Sequence, residues 1–160
     1  MILRCARFLI LFAVIATASC AHYGYSNRHD VSVSVETVAV DGDSGLDPAA
    51  LTRTMVSRLS EQGVGASWAD DAVEYVATCA THVVDDGASG QAWSPRVVVR
   101  CRIGEDAFEA IGNAAASIET PSNDSIRDVQ QAAATDAIMR VADLIAADMI
   151  GKEETDGQEE

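Results

Sequence analysis

The sequence predicts an α+β fold, a two-layer sandwich in which a four-stranded, mostly antiparallel sheet carries two helices on one face in the order β-α-β-β-β-α. Segments rich in β-branched residues recur at strand length, and two other segments have apolar residues at helical spacing. One of these helices falls between the first two strands, where a right-handed crossover would join them in parallel. With 160 residues, the chain has room for a single domain of this kind.

The first 19 residues indicate an export signal. Arg4 and Arg7 precede an apolar run at 8–16, and small residues follow that run. A membrane-spanning helix needs about 20 apolar residues, so a retained transmembrane span is the weaker interpretation. Residues 1–19 are therefore predicted to be a signal peptide and to take no part in the fold.

The stretch Thr17-Ala18-Ser19-Cys20 resembles the bacterial lipobox, whose cysteine is acylated and becomes the new N-terminus. The family usually has Leu where this chain has Thr17. The resemblance implies lipidation of Cys20, a membrane anchor followed by a tether at 20–30, and, with Ala21 next, attachment to the outer membrane facing the periplasm. The alternative is cleavage after Ala18 at an A-x-A site, which would release a secreted or soluble periplasmic protein.

The first strand is predicted at 31–40, where VSVSVETVAV is dominated by β-branched residues. Its apolar residues alternate up to Val35 and then change phase. Such a change predicts a bulge near Glu36 or Thr37.

The first helix is predicted to follow a GDSG turn and to run to Gln62. Asp47 is suited to cap its N-terminus, with Pro48 at the first helical position. Gly63 is suited to end it. The residues of its apolar stripe are Leu51, Met55 and Leu59.

Two strands, 75–84 and 96–103, are predicted to form a hairpin around a loop rich in turn-forming residues. If Cys79 lies opposite Cys101, the same register also pairs three other sets of residues on one face: Ala77 with Ile103, Thr81 with Val99, and Val83 with Val97. An exported protein can keep disulfides, so we predict a Cys79–Cys101 bridge. The alternative is two buried thiols.

The fourth strand is predicted at 108–118, where alternate residues form a smooth face of Phe108, Ala110, Gly112, Ala114, Ala116 and Ile118. A helix is the alternative here, since alanine favours it. The last helix is predicted at 125–150, opened by a Ser125-x-x-Asp128 capping box. Its predicted inward residues are Ile126, Val129, Ala133, Ala137, Val141, Leu144 and Ile145. Small residues on strand and helix should let the two lie close together.

The domain is thus predicted at 31–150, followed by an acidic, disordered tail at 151–160. The formal net charge is −14, and it becomes −16 without residues 1–19, which hold Arg4 and Arg7 and no acid. Such an acidic surface should repel nucleic acid, so nucleic acid is not expected as a partner. No motif indicates a cofactor, and whether a small-molecule ligand binds is left open.

Catalytic and metal-binding residues are not predicted. Gly42-Asp43-Ser44 resembles the first block of GDSL-type hydrolases, but no histidine after His82 supplies their base, and an unactivated serine is a poor nucleophile. A GDS-type serine hydrolase is kept as a remote alternative. His22 and His29 fall in the tether, and His82 has no second metal ligand at helical or hairpin spacing.

A cationic row, Arg96, Arg100 and Arg102, is predicted on the face of its strand opposite Cys101. One interpretation is a solvated outer face whose charges discourage aggregation. The other is a docking surface for an acidic partner or an anionic head group, and these three arginines are the candidate binding residues.

Together these features resemble the lipopolysaccharide-assembly lipoproteins of the outer membrane: Cys20, Tyr23-Gly24-Tyr25, Val38-Ala39-Val40, Ala72-Val73-Glu74-Tyr75-Val76 and an alanine-rich final helix. Other small α+β lipoproteins, such as activators of peptidoglycan synthases, are similar. The resemblance implies a non-catalytic assembly partner of an outer-membrane β-barrel. The acidic composition of this chain is a departure, because contact with phosphorylated lipid A would favour more Lys and Arg. The alternative is a structural or surface lipoprotein.

Overall fold

A computed structural model describes residues 31–41, 44–68, 73, 75–85, 88–89, 92–117 and 122–156. The predicted signal peptide, Cys20 and the tether lie outside these residues, as do the predicted turn residues Gly42 and Asp43. No helix in the described part of the chain combines the length and apolar character needed to cross a bilayer.

Nine strands and two helices make up the described residues. In chain order they are β1 (Ser32–Val35), β2 (Ala39–Val40), α1 (Pro48–Glu61), β3 (Gly65–Trp68), β4 (Tyr75–Asp85), β5 (Ala88–Ser89), β6 (Ala92–Trp93), β7 (Arg96–Ile103), β8 (Asp106–Asn113), β9 (Ala116–Ser117) and α2 (Asn123–Asp156).

The main sheet has the strand order β3-β1-β4-β7-β8, and β2 continues the line of β1 beside β4. β1 pairs in parallel with both β3 and β4, whereas β4, β7 and β8 are antiparallel. The α+β class and the two-helix layer agree with the sequence prediction. The four-stranded, mostly antiparallel sheet was wrong in detail, since the sheet is mixed and has an additional edge strand.

The additional strand is β3, whose four residues GASW carry no alternation that could identify them. Its pairing with β1 begins where Gly65 N donates to the Val31 carbonyl at 3.0 Å. Tertiary pairing with a distant strand therefore makes a strand of a segment that is too short and too rich in small residues to be recognised locally.

The predicted irregularity in the first strand is present, because residues 36–38 separate β1 from β2. Val33 and Val35 are fully buried, and after the break Val38 is fully buried too. The Val38 amide, which has no strand partner here, donates to Thr52 Oγ1 on α1 at 3.0 Å. The phase change predicted from the valine pattern is confirmed.

Helix α1 begins and ends as predicted. The Asp47 carboxylate accepts hydrogen bonds from the amides of Ala49 and Ala50, at 2.9 and 3.1 Å. Gly63 follows the helix with φ of 94°, a conformation in which glycine is strongly favoured. The three predicted apolar residues, Leu51, Met55 and Leu59, are all fully buried against the sheet.

The β4–β7 hairpin has the predicted register, with Cys79 opposite Cys101 and the other three predicted pairs in place. A disulfide joins the two cysteines, and both are buried on the face covered by the helices. The loop between the strands contains β5 and β6, which pair with each other, and β6 pairs with β9 to form a second, three-stranded sheet.

Strand β8 occupies most of the predicted fourth strand and excludes the helical alternative there. Its small inner residues bring α2 very close: a Cβ on Gly112 would lie 2.0 Å from the carbonyl oxygen of Ala133 and 2.5 Å from the amide nitrogen of Ala137. A side chain of any size is thus excluded at Gly112, which confirms the predicted close packing.

Helix α2 is longer at both ends than its predicted bounds. It starts at Asn123, and the reciprocal capping bonds join Ser122 and Ser125, with Ser125 N donating to Ser122 Oγ at 3.2 Å and Ser122 N to Ser125 Oγ at 3.0 Å. The cap residue is therefore Ser122, three residues before the predicted one.

The C-terminal end of α2 continues through Asp156 into the segment predicted as a tail. Lys152 holds this end to the sheet by donating to Asp106 at 2.5 Å and lies 2.8 Å from Asp148 one helical turn earlier. Hydrogen bonds to these two carboxylates raise the pKa of Lys152.

The predicted inward position of Leu144 was wrong, since this side chain is 48% exposed. In this half of the helix the buried stripe consists of Val141, Ala142, Ile145, Ala146 and Met149, which leaves Leu144 outside it.

The two helices are joined by one polar cluster at their exposed sides. Arg58 donates to both carboxylate oxygens of Asp143, through Nε at 2.7 Å and Nη2 at 3.1 Å, and Gln62 donates to the same carboxylate at 3.0 Å. The hydrogen bonds to Asp143 and Glu61 raise the pKa of Arg58. This cluster links α1 and α2 at the surface, above the apolar core that both helices share.

Candidate functional site

The helices cover one side of the main sheet and leave the other side of β4, β7 and β8 uncovered by any described helix. We call this side the outer sheet face. Its residues are Val76, Thr78, Ala80, His82 and Val84 of β4, Arg96, Val98, Arg100 and Arg102 of β7, and Ala107, Glu109, Ile111 and Asn113 of β8. Strand alternation places them there, because their neighbours in sequence point into the core.

The predicted arginine row lies on this face, and all three side chains are exposed. Arg100 donates through Nε to Glu109 on β8 at 2.5 Å, a cross-strand pair. Among the side chains that the structure describes, which do not include that of Asp85 opposite Arg96 in the strand register, neither Arg96 nor Arg102 has an ion pair. Relative to the described side chains, Arg96 and Arg102 can thus meet an external anion, and the guanidinium of Arg100 is shared with one carboxylate.

Exposed apolar side chains accompany the arginines. Val76, Val84 and Ile111 are 41, 54 and 36% exposed, although large aliphatic side chains are mostly buried in soluble domains. Val98 lies among them and is half-buried. The outer sheet face therefore offers both contact types that docking surfaces combine, aliphatic area and charge-assisted donors.

Asp41 and His82 meet at the edge of this face, and the Asp41 Oδ2 and His82 Nδ1 atoms are hydrogen-bonded. The parallel pairing of β2 with β4 sets Val40 beside Thr81 and so brings the next residues together. A shallow pocket of about 330 Å³ adjoins the pair. It is lined by Asp41, Ala80, Thr81, His82, Val84, Val98 and Arg100.

The Asp41–His82 pair was missed at the sequence level. Asp41 follows β2 and His82 lies in β4, 41 positions later in the sequence, so no spacing rule connects them. The sequence does indicate outward-facing valines. β4 has valine at both even and odd positions, and because alternate residues of a strand face opposite sides, some of these valines must point away from the core.

Ser44 is the only residue of the Gly42-Asp43-Ser44 motif that falls within the described residues. Its amide donates to the Asp41 carbonyl at 3.1 Å, as expected for a turn, and its buried hydroxyl has no hydrogen-bond partner among the residues that the structure describes. His82 pairs with Asp41 and not with Ser44. A serine activated by a base is not formed among these residues.

Groups of histidine, cysteine, aspartate and glutamate suited to a metal ion are not found among the described side chains. Cys79 and Cys101, the predicted bridge, lie in the core on the opposite side of β4 and β7 from the arginines. The bridge and the cationic row thus belong to the two faces of the same hairpin.

Comparison with known proteins establishes the fold. No protein-family model matches the chain, and no curated protein sequence matches it. Solved structures do match. A neuraminyllactose-binding hemagglutinin homolog from Helicobacter pylori superposes with a TM-score of 0.51 at 13% identity, over 87% of this chain and 97% of that chain.

Weaker structural similarity extends to other bacterial proteins. A minor lipoprotein from Acinetobacter baumannii has a TM-score of 0.45 at 13% identity, over 78% of this chain and 94% of that chain. The PelC dodecamer from Paraburkholderia phytofirmans has a TM-score of 0.45 at 15% identity, over 74% and 87%. At these identities the likeness concerns the fold alone.

Proposed function

We propose that this protein is a lipid-anchored, non-catalytic binding module of the bacterial cell envelope, which docks an acidic protein partner on its outer sheet face. The observation that carries the proposal is the outer sheet face, which no described helix covers, with its arginine row and exposed valines. The anchor and the compartment are inferred from the signal peptide and the lipobox-like Thr17 to Cys20.

Charge supports an acidic partner. The chain has a formal net charge of −14, so most of its surface repels an acidic protein. Arg96 and Arg102 are without a described ion pair and lie on either side of Arg100, which makes the outer sheet face the place where repulsion is relieved. Such an arrangement selects one orientation of approach and makes association depend on salt.

Apolar contact supports a protein rather than a free ion. Val76, Val84 and Ile111 expose aliphatic surface that a small anion would leave in water. Burying this area under a partner would be favourable at roughly 25 cal/mol per Å². In its most specific form, the proposal names an outer-membrane β-barrel as the partner, because the sequence resembles lipopolysaccharide-assembly lipoproteins.

The test reverses the charge of the row. Arg96, Arg100 and Arg102 are each replaced by Glu, and the full chain is used as bait on detergent-solubilised native membranes. Recovery of the partner should fall, and its decrease with added salt should flatten. The fold should persist, because exposed ion pairs contribute only about 0 to 1 kcal/mol each.

The matched control reverses three exposed arginines on the helical side: Arg53, Arg127 and Arg140. It has the same net charge as the test variant, so a general electrostatic effect would act on both equally. Partner recovery by the control should match the parent protein. Equal recovery by the test variant and the control would refute the docking face, and no partner in any membrane fraction would favour the structural or surface lipoprotein alternative.

A further inference from the structure

The pocket at the edge of the outer sheet face combines an apolar floor with polar groups on two sides. Cross-strand register sets Val98 beside His82 and Arg100 beside Ala80. Val84, 54% exposed, completes the apolar part. The result is a pocket of about 330 Å³, which is at the small end of ligand sites and matches a side chain rather than a whole cofactor.

Arg100 supplies donors on one side. Its Nε atom is used by Glu109, and within the described residues its two Nη groups have no hydrogen-bond acceptor. The side chain is 73% exposed, so these groups are available to a ligand. Two parallel N–H donors of a guanidinium match the two oxygens of a carboxylate.

His82 supplies the group on the other side. Its Nδ1 is bonded to Asp41, so its Nε2 is the nitrogen left for a ligand. The Asp41 carboxylate is hydrogen-bonded to the ring through its Oδ2 atom. Both side chains are about two-thirds exposed, at 67 and 64%.

We propose that this pocket binds a carboxylate that is attached to a short aliphatic group, as in an acidic residue next to a leucine or valine of the docked partner. The inference rests on the proposed function and names the chemistry recognised at its centre. The carboxylate lies against Arg100, and the aliphatic part covers Val84 and Val98. Tight binding requires both contacts, because Arg100 contacts only the carboxylate, and Val84 and Val98 contact only the aliphatic part.

The probe is isovalerate, which carries a carboxylate and an isopropyl group. It is titrated into the methyl-labelled full chain in detergent, and binding is followed through the NMR shifts of the Val84 and Val98 methyl groups. These shifts should saturate. Isovaleramide, which lacks the charge, and acetate, which lacks the isopropyl group, should each bind roughly tenfold more weakly, the effect of losing one good contact.

Two substitutions locate the charge requirement. Arg100→Gln should weaken isovalerate binding by about tenfold and leave isovaleramide unchanged. Arg102→Gln, on the same strand and outside the pocket, should change neither. Shifts that do not saturate, equal binding of isovalerate and its amide, or equal effects of the two substitutions would overturn the assignment.

The two proposals can fail separately. If the triple arginine reversal lowers partner recovery while isovalerate does not bind, the docking face stands and the pocket assignment falls. If isovalerate binds as described while partner recovery is unaffected by the reversal, the pocket is a ligand site unconnected with docking, and its proposed role in partner recognition is overturned.

Discussion

Replacing Gly112 by Ala tests the close contact between the sheet and α2. The added Cβ would lie 2.0 Å from the Ala133 oxygen, and ordinary contacts begin near 3.4 Å, so helix and strand must separate by roughly 1.4 Å. The nearest atoms belong to the helix backbone, which cannot yield as a flexible side chain would. Overpacking of this kind costs about 1–3 kcal/mol and occasionally more, and we expect a loss near the upper end.

The assay is urea unfolding followed by circular dichroism, with the disulfide intact in every variant. The matched control is Gly151→Ala on α2, where an added Cβ meets nothing within 4 Å. Removing glycine from a helix there should raise the free energy of unfolding by about 0.5–1 kcal/mol.

A second variant separates the backbone clash from the side-chain contact. Ala137→Gly removes the side-chain atom that lies 2.9 Å from the added Cβ but leaves the two nearer backbone atoms in place. Combined with Gly112→Ala, it should therefore give no rescue. A Gly112→Ala protein that is as stable as the parent, or a rescue by Ala137→Gly, would show that backbone contact does not set the helix position.

Three further predictions concern covalent and polar links. Thiol labelling of non-reduced, unfolded protein should leave Cys79 and Cys101 unmodified, and full labelling without reductant would exclude the bridge. Replacing both cysteines with Ala should lower the free energy of unfolding by about 3 kcal/mol, which is the loop-closure entropy expected for a sequence separation of 22 residues. In a double-mutant cycle, Arg58→Ala and Asp143→Ala should each lower the unfolding midpoint with non-additive effects, whereas strict additivity would mean that the pair is not coupled. Mass spectrometry of the mature N-terminus should find acylated Cys20, and an unmodified terminus at residue 19 would rule out the anchor.

Several features of the fold follow from the sequence because their causes are local. The valine phase change near residue 36 predicts a break, and the structure separates β1 from β2 there. Asp47 before Pro48 predicts a helix start, since a side-chain acceptor and a preset φ act within one turn. The position of the arginine row follows from two-residue alternation alone, once Cys101 is assigned to the core.

Other features depend on contacts between segments that are remote in sequence. β3 is a strand because β1 offers it a hydrogen-bonding edge, and the residues of GASW would not indicate one. Asp41 meets His82 because β2 and β4 are parallel, a pairing without the short hairpin connection that predicts register in antiparallel strands. The pocket depends on the same long-range pairing, since its walls come from β4, β7 and Asp41, the residue that follows β2.

The sequence by itself determined the class of fold, the capped first helix, the hairpin register and the side of the sheet that carries the arginines. Each depends on side-chain periodicity or on chemistry within a few residues. Only the tertiary structure decided the mixed sheet, the exposure of Leu144 and the contact of Gly112 with α2. These features depend on which strand edges and helix faces meet. The arrangement that buries the most apolar surface over the whole domain is favoured, and the sequence of a short segment does not contain that information.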